Sequence, residues 1–248
     1  MSDSRKHRGP HPADENLFAE ENLDTLRRAT ADFCWLLDHG YPVTSSLKLV
    51  GDRFCLQERQ RTAVKRVSCS SAACEIRTAK RVAISNAPTV WIDGFNLLTT
   101  IEAALAGGFI LKGRDGCYRD MASMHGTYRK VDETRPALLL VGEYLKSQSV
   151  AAVHWLLDQP VSNSGRLATV IREIGESHDW NWTVELVRDP DPVLKELKDA
   201  VVVSADSEIL NQCASWANVA KSVVDRVPDI RVLDFYPGGR IGRTDGKS

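Results

Sequence analysis

Apolar residues in the first third of the chain recur at steps of three and four positions, as on one face of a helix. This spacing predicts a long helix over residues 14–39, which Gly40 should end. A short serine-capped helix is expected near residues 45–50, and a third helix over residues 57–67. Together these elements predict a small helical domain over residues 14–84.

Past residue 85 the pattern changes to short, β-prone apolar runs that alternate with helical spacing. Alternating strands and helices predict an α/β domain over residues 85–236, with a parallel sheet flanked by helices. The residues before 14 and after 236 are polar and aperiodic, which predicts a flexible arm (1–13) and a flexible tail (237–248). The strand runs are 89–92, 150–157, 182–187, 201–203 and 230–233, with 109–112 as an extra strand or part of a hairpin; helical spacing covers 95–106, 133–146, 165–176 and 206–216.

Composition narrows the functional classes. The 248 residues are 43% hydrophobic with a net charge of -1, and no apolar run approaches the ~20 residues of a membrane span. No membrane association is therefore expected, and a cytoplasmic location is the default because the first residues hold no signal peptide. Six scattered cysteines without a C-x-x-C pair favour free thiols over a zinc site. The chain also lacks a P-loop, a dinucleotide-binding glycine pattern and a nucleophile elbow.

Three strand runs are each followed by an aspartate, namely Asp93, Asp158 and Asp206. Ligands of open parallel sheets bind beyond the carboxyl ends of the strands, so these carboxylates are expected to converge on one edge. Clustered carboxylates repel each other unless a cation compensates, and oxygen ligands suit Mg²⁺ or Mn²⁺. The alternative is that each aspartate merely caps the helix that follows it, as Asp206 would cap the helix from residue 207.

Other polar residues are expected near the same edge. Asn96 lies one helical turn after Asp93, and a loop over residues 113–120 offers carboxylates and guanidinium groups that can bind phosphate or metal-bound water. A surface turn built on Asp-Gly explains that loop equally well. The candidates in it are Asp115, Arg119 and Asp120.

The segment 158–166 connects a strand end to a helix start and contains Ser162, Ser164 and Arg166. Free N–H groups at a helix start, with an arginine nearby, form a site for a phosphate. Plain helix capping by the serines is the alternative.

Charge is unevenly distributed along the chain. Residues 1–86 carry a net charge of about +3, and residues 52–81 hold eight Lys/Arg against three acids. This stretch predicts contacts to nucleic-acid phosphates, while a solvated helix face is the alternative. The candidates are Arg53, Arg59, Arg61, Lys65 and Arg66.

Two motifs carry a resemblance to a known fold. The segment Trp91-Ile92-Asp93-Gly94-Phe95-Asn96 resembles the opening strand and helix of PIN-like and NYN-type nuclease domains, and Val202-Val203-Ser204-Ala205-Asp206-Ser207 resembles one of their late strands. More closely, the whole chain resembles an uncharacterised prokaryotic two-part family with an N-terminal helical domain and a C-terminal PIN-like domain.

The resemblance implies a metal-dependent nuclease that acts on RNA. It implies that Asp93, Asp158 and Asp206 hold Mg²⁺ or Mn²⁺, that Asp115 or Asp120 completes the shell, and that Ser207 lies at the substrate. Two alternatives stay open: a catalytically silent protein that binds RNA or a nucleotide, and a small-molecule phosphoesterase. The oligomeric state is also open, with a homodimer as one option.

Overall fold

The structure, a computed structural model, describes residues 9–121, 131–236 and 242–243. Most of the predicted arm and nearly all of the predicted tail lie outside these residues. Within them, no helix is both long and apolar enough to cross a lipid bilayer. The helices are α1 Asp14–Leu17, α2 Glu20–Asp38, α3 Val43–Arg53, α4 Glu58–Val67, α5 Ser71–Lys80, α6 Gly94–Leu105, α7 Thr134–Ser147, α8 Ser164–Ser177, α9 Pro190–Glu196, α10 Ser207–Gln212 and α11 Val219–Val224.

The predicted parallel sheet is present. Its four strands are β1 Val90–Asp93, β4 Val153–Asp158, β5 Trp182–Val187 and β6 Val201–Val203, in the order β5-β4-β1-β6 with every pair parallel. Helices α6, α7, α8 and α11 cover one face, where Ile92 and Trp155 are fully buried. The other face packs against α9 and α10 through Leu156 and Val202. Coverage on both faces explains why β1, β4 and β6 are nearly continuous apolar runs, whereas β5 has a partly exposed face.

A second sheet departs from the expected single sheet. Strand β2 (Phe109–Lys112) pairs in parallel with β7 (Arg231–Asp234) and antiparallel with β3 (Tyr118–Arg119), while β7 pairs with β8 (Gly242–Arg243). The predicted run at 230–233 therefore belongs beside residues 109–112. Strand periodicity alone indicates that a segment is a strand and leaves its partner undetermined.

The N-terminal helices share one core with this second sheet. Leu26, Phe33 and Val64 from α2 and α4 are buried in one cluster with Leu111 and Leu233 from the sheet. The helical residues therefore bury their apolar face against the α/β part of the chain. These helices form a layer on the second sheet. They are therefore more closely associated with the α/β part than expected for a separate small domain.

The long helix expected over residues 14–39 is broken. Ala19 is extended, with φ −61° and ψ 155°, and separates α1 from α2. The break inserts Phe18 into the shared core, where its ring lies 5.6 Å from the ring of Phe109. Aromatic burial of this kind favours the interruption over continuous helix.

Two further helix predictions need correction. Helix α3 begins at Val43 after Pro42, and Ser46 is buried inside it, so neither Ser45 nor Ser46 is its cap. Ser45 instead donates its hydroxyl to the carbonyl of Pro42. The helix expected over residues 206–216 ends at Gln212. Helices α5, α9 and α11 were not predicted from the sequence; α5 has a weaker amphipathic pattern and is capped by Ser70.

A buried ion-pair network links the helical layer to the α/β part. The carboxylate of Asp115 accepts hydrogen bonds from Arg77 of α5 at 2.7 Å and from Arg119 at 3.0 and 2.7 Å. Burial alone would raise the pKa of Asp115, but the guanidinium groups of Arg119 and Arg77 outweigh it and hold that pKa well below its usual range. Arg119 also donates to the carbonyl of Ala205 at 2.9 Å.

Asp115→Asn should destabilise the protein by about 3–5 kcal/mol, because it leaves two buried guanidinium groups with one fewer counter-charge. Urea unfolding monitored by circular dichroism measures this change. The control is Asp24→Asn in the exposed Arg27–Asp24 pair, which should change stability by less than about 0.5 kcal/mol. Equal small effects for both variants would contradict the role given to Asp115.

Candidate functional site

Asp93, Asp158 and Asp206 follow three adjacent strands of the parallel sheet. Asp93 ends β1 and Asp158 ends β4, while Asp206 comes three residues after β6. Asp93 lies opposite Leu156 in the β1–β4 register, so Asp158 is two residues further along. Strand rise and spacing then separate the Cα atoms of Asp93 and Asp158 by roughly 8 Å.

Strand alternation directs these side chains toward one face of the sheet. Asp93 is two residues after Trp91, and Asp158 is two residues after Leu156; both Trp91 and Leu156 pack in the cluster beneath α9 and α10. Residues two apart on a strand share a face. Val202 packs in the same cluster, which directs Ser204 toward Asp93.

Ser204 connects Asp93 to Asp206. Its Oγ donates a hydrogen bond to Oδ2 of Asp93 at 2.8 Å and accepts one from the backbone N–H of Asp206 at 3.0 Å. Oδ1 of Asp206 accepts from the N–H groups of Glu208 and Ile209 at 2.8 and 3.2 Å. Asp206 therefore caps α10, as the structural alternative predicted, and at the same time lies at the sheet edge.

Electrostatics at this edge are unfavourable for ionised carboxylates. Burial raises the pKa of Asp93 to about 7, and the negative charges of Asp158 and Asp206 raise it as well. The hydrogen bond from Ser204 acts in the opposite direction and lowers this pKa. The pKa of Asp158 is also raised, by burial and by the carboxylates of Asp189 and Asp191. This edge would thus be stabilised by a proton or by a cation.

Asn96 orders the loop before Asp206. Its Oδ1 accepts the backbone N–H of Ala205 at 2.8 Å. Since the amide oxygen is used for this bond, the amide N–H groups are what Asn96 can offer to a ligand.

A cavity of about 980 Å³ lies at the carboxyl edge, within the upper range of ligand sites. Its walls come from both parts of the chain. The α/β part contributes Asp93, Asn96, Asp120, Asp158, Asp191, Asp206, Ser207 and Glu208; the helical layer contributes Tyr41, Val43, Lys65, Arg66 and Arg77.

The candidates of the 113–120 loop have different positions. Asp115 is absent from the cavity wall, and its oxygens bind Arg77, Arg119 and the N–H of Cys117. Arg119 lines the cavity, yet its guanidinium is engaged by Asp115 and Ala205. Asp120 lines the cavity and accepts hydrogen bonds from the hydroxyls of Thr99 and Thr100 at 3.1 and 3.3 Å. Of Asp115 and Asp120, it is Asp120 that lies in the cavity wall with the three strand-end aspartates.

The phosphate site expected at the start of α8 is not part of this cavity. The cap residue of α8 is Asn163, in a left-handed conformation with φ 69° and without a side-chain cap bond. Ser164 donates its hydroxyl to the carbonyl of Gln159, while Ser162 and Arg166 are exposed. These three candidates lie outside the cavity wall, so they are not brought together with Asp93.

Three of the five predicted basic residues form ion pairs within the chain, outside the cavity wall. Arg59 pairs with buried Asp14 at 2.6 Å, Arg61 with Asp52 at 2.9 Å, and Arg53 with Asp32 at 3.2 Å. Lys65 and Arg66 differ, because both line the cavity. Arg66 donates to the backbone carbonyl of Asp120 and lies 3.4 Å from its carboxylate.

Several residues at or near the cavity were not predicted from the sequence. Ser204 is one of them, although its position two residues after Val202 places it on the face of Asp93. Thr99 and Thr100, three and four residues after Asn96, could have been assigned to the same helix face. Asp191 and Tyr41 carry no comparable signal, because their placement depends on tertiary packing.

Within the described ranges, no three His, Cys, Asp or Glu side chains are grouped closely enough to hold a metal ion. The strand-end aspartates therefore do not form a complete three-carboxylate cage. The geometry instead provides a buried carboxylate with a raised pKa, a neighbour joined to it through Ser204, and further acids around a shared cavity.

Comparison with known proteins agrees with the two-part organisation. Residues 83–222 match the family model "Domain of unknown function (DUF5616)". The chain belongs to the DUF5616 family. Ahead of its DUF5616 region, residues 25–80 match "Protein of unknown function (DUF434)". An uncharacterized protein of Methanocaldococcus jannaschii is 31% identical over 207 residues, which is 83% of this chain and 96% of that protein. No solved structure matches the chain.

These comparisons confirm the expectation of an uncharacterised two-part family. The DUF434 match runs from residue 25 within α2 to the end of α5, and the DUF5616 match begins just before β1. The cavity takes residues from both regions, so the candidate site of this chain is formed by the two parts together.

Asp93→Asn should stabilise the metal-free protein at pH 8 by about 2–4 kcal/mol and have little effect at pH 4. The pKa of Asp93 rises from an ordinary value of 3.8 to about 7 on folding. Stability linked to this group is therefore greatest at low pH and is lost as pH rises from about 4 to about 7. Thermal unfolding across this range measures the difference.

The Asp24→Asn variant serves as the control, because it removes an exposed carboxylate that lies outside the cavity wall. A wild-type protein that gains stability relative to Asp93→Asn between pH 4 and pH 8 would contradict the burial and repulsion assigned to Asp93.

Proposed function

We propose that this protein is a metal-dependent nuclease that acts on RNA. The observation that supports this function best is the set of acids at the carboxyl edge of one parallel sheet. Asp93 is buried there with a pKa raised to about 7, and Ser204 joins it to Asp206. The PIN-like resemblance of residues 91–96 and 202–207 supports the same reaction class.

The donor set fits Mg²⁺ or Mn²⁺ in a site with few protein ligands. Mg²⁺ usually keeps several waters and is bound through one or two carboxylates plus substrate phosphates. Asp93 and Asp206 would hold it, with Asp158 adding negative charge nearby. When bound, the ion would polarise a phosphoryl oxygen and acidify a bound water.

Residues of the chain would orient the reacting groups. Asp120, fixed by the hydroxyls of Thr99 and Thr100, is placed in the cavity wall to hold a water molecule. Asn96 can donate its amide N–H groups to a phosphate oxygen, since its own oxygen is engaged by Ala205. Ser207 lines the same cavity and offers a hydroxyl.

The helical layer would bind the RNA backbone. Lys65 and Arg66 put positive charge in the wall of a cavity that also contains the strand-end acids. A phosphodiester is attracted to such charge, while the acids at the sheet edge require the cation. The remaining basic candidates, Arg53, Arg59 and Arg61, would stabilise the fold through their ion pairs.

A catalytically silent RNA-binding protein is the second candidate. It would use the positive charge of Lys65 and Arg66 in the cavity wall without a catalytic metal ion. Both candidates use the same basic residues, and they differ in whether phosphodiester bonds are broken.

The purified full-length protein should cleave a labelled single-stranded RNA in the presence of Mn²⁺ or Mg²⁺ and stop when EDTA is added. Asp93→Asn should lower the cleavage rate by about a hundredfold to a thousandfold, because it weakens a contact to the ion. Gel electrophoresis of the labelled RNA measures both effects.

The control is Asp225→Asn, an exposed carboxylate on the α11 side that pairs with Lys221, and it should cleave at the wild-type rate. RNA that is bound and stays intact at millimolar metal would favour the silent binding protein. Hydrolysis of nucleotides or simple phosphate esters without RNA cleavage would instead indicate a small-molecule phosphoesterase.

A further inference from the structure

The turn between α2 and α3 holds an exposed aromatic residue on a fixed backbone. Gly40, with φ 75°, donates its N–H to the carbonyl of Leu37, and Tyr41 donates its N–H to the carbonyl of Leu36, both at 3.1 Å. These two bonds form a Schellman motif that ends α2. Pro42 then fixes the backbone before α3.

The Tyr41 side chain has no evident role in the fold. It is 54% exposed, and within the described residues its hydroxyl makes no hydrogen bond and its ring stacks on no other ring. Single exposed apolar side chains are common and need no explanation on their own. Tyr41 differs because it lines the same cavity as Asp93, Asp206 and Lys65.

Lys65 supplies the second observation. It is exposed, lines this cavity, and forms no ion pair with another residue in the part of the chain that the structure describes. The arginines proposed from the basic stretch of the sequence, in contrast, pair with acids, as Arg59 does with Asp14. A cation without an ion-pair partner among the described residues and an exposed aromatic ring, both in the wall of one cavity, match the two groups of a nucleotide, a phosphate and a base.

We propose that Tyr41 stacks on an unpaired base of an RNA strand while Lys65 binds a phosphate of the same strand. The helical layer thereby contributes a substrate-contacting residue to the site at the sheet edge. This inference rests on the proposed function, because it takes RNA as the molecule that enters the cavity.

Stacking on Tyr41 determines which RNA binds. Bases of a duplex are stacked on each other, so a tyrosine ring can accept a base face only from a single strand, a loop or an end. Every base has such a face, so stacking tolerates many sequences. The protein should therefore prefer single-stranded RNA to duplex RNA, with little dependence on sequence.

Fluorescence anisotropy with a 5′-fluorescein-labelled single-stranded RNA of about ten nucleotides tests this inference. The full chain carries Asp93→Asn so that the probe stays intact. Adding Tyr41→Ala should weaken binding by about fivefold to a hundredfold, as expected for loss of one stacked base. Tyr41→Phe should bind like the parent, because it keeps the ring.

Two further variants sharpen the result. Trp35→Ala removes an aromatic residue of α2 that is 56% exposed and lies outside the cavity wall, so it should leave the affinity unchanged. Lys65→Ala should weaken binding and reduce the slope of log affinity against log salt by about 0.7. Thermal melts should show that all four added substitutions leave the protein folded.

Three results would overturn the inference: no binding of the single strand by the parent, equal affinity of the Tyr41→Ala variant, or an equal effect of Tyr41→Ala on a duplex probe. A cleavage assay with the protein that keeps Asp93 distinguishes a failure of this inference from a failure of the proposed function. Cleavage that is insensitive to Tyr41→Ala removes the stacking role and leaves the nuclease; Tyr41-dependent binding without cleavage removes the nuclease and leaves the stacking role.

Discussion

Repulsion among acids at the end of one parallel sheet is the constraint on which the site depends. Parallel pairing puts the ends of β4, β1 and β6 side by side, and strand alternation turns Asp93 and Asp158 toward one face. Asp93 is buried near Asp158 and Asp206, which raises its pKa to about 7. Such an arrangement costs free energy in the metal-free protein, and either a proton or a bound cation would offset that cost.

The surrounding bonds hold this arrangement in place. Ser204 fixes one oxygen of Asp93, and Asn96 fixes the loop that leads to Asp206. Arg119 binds the same loop at Ala205 and is itself oriented by Asp115, which also holds Arg77 of the helical layer. The acid edge and the helical layer are thus connected through a continuous chain of hydrogen bonds, in agreement with the adjacent DUF434 and DUF5616 matches.

The sequence predicted the features that depend on local pattern. The parallel sheet and the position of Asp93 and Asp158 at strand ends follow from apolar runs and from the residue after each run. Asp206 was predicted both as a cap and as a site residue, and its carboxylate does cap α10. The pairing of 109–112 with 231–234 could not be predicted, because the two segments are distant along the chain.

Side-chain partners were the least predictable feature. The chemistry of Asp115 suits a metal, yet Arg77 lies 38 residues earlier in the chain and takes one of its oxygens. Arg53, Arg59 and Arg61 suggest a basic surface by composition, although each meets an acid in the fold. Composition gives the number of charges, whereas packing decides which of them stay available.

Anomalous diffraction from a crystal of the full chain soaked in millimolar Mn²⁺, measured at the manganese absorption edge, shows whether a metal ion binds at the sheet edge. We expect an anomalous peak within coordination distance of the Asp93 and Asp206 carboxylates, and no peak in the Asp93→Asn variant. A wild-type crystal with no anomalous peak at this edge would mean that the acids do not bind a metal ion.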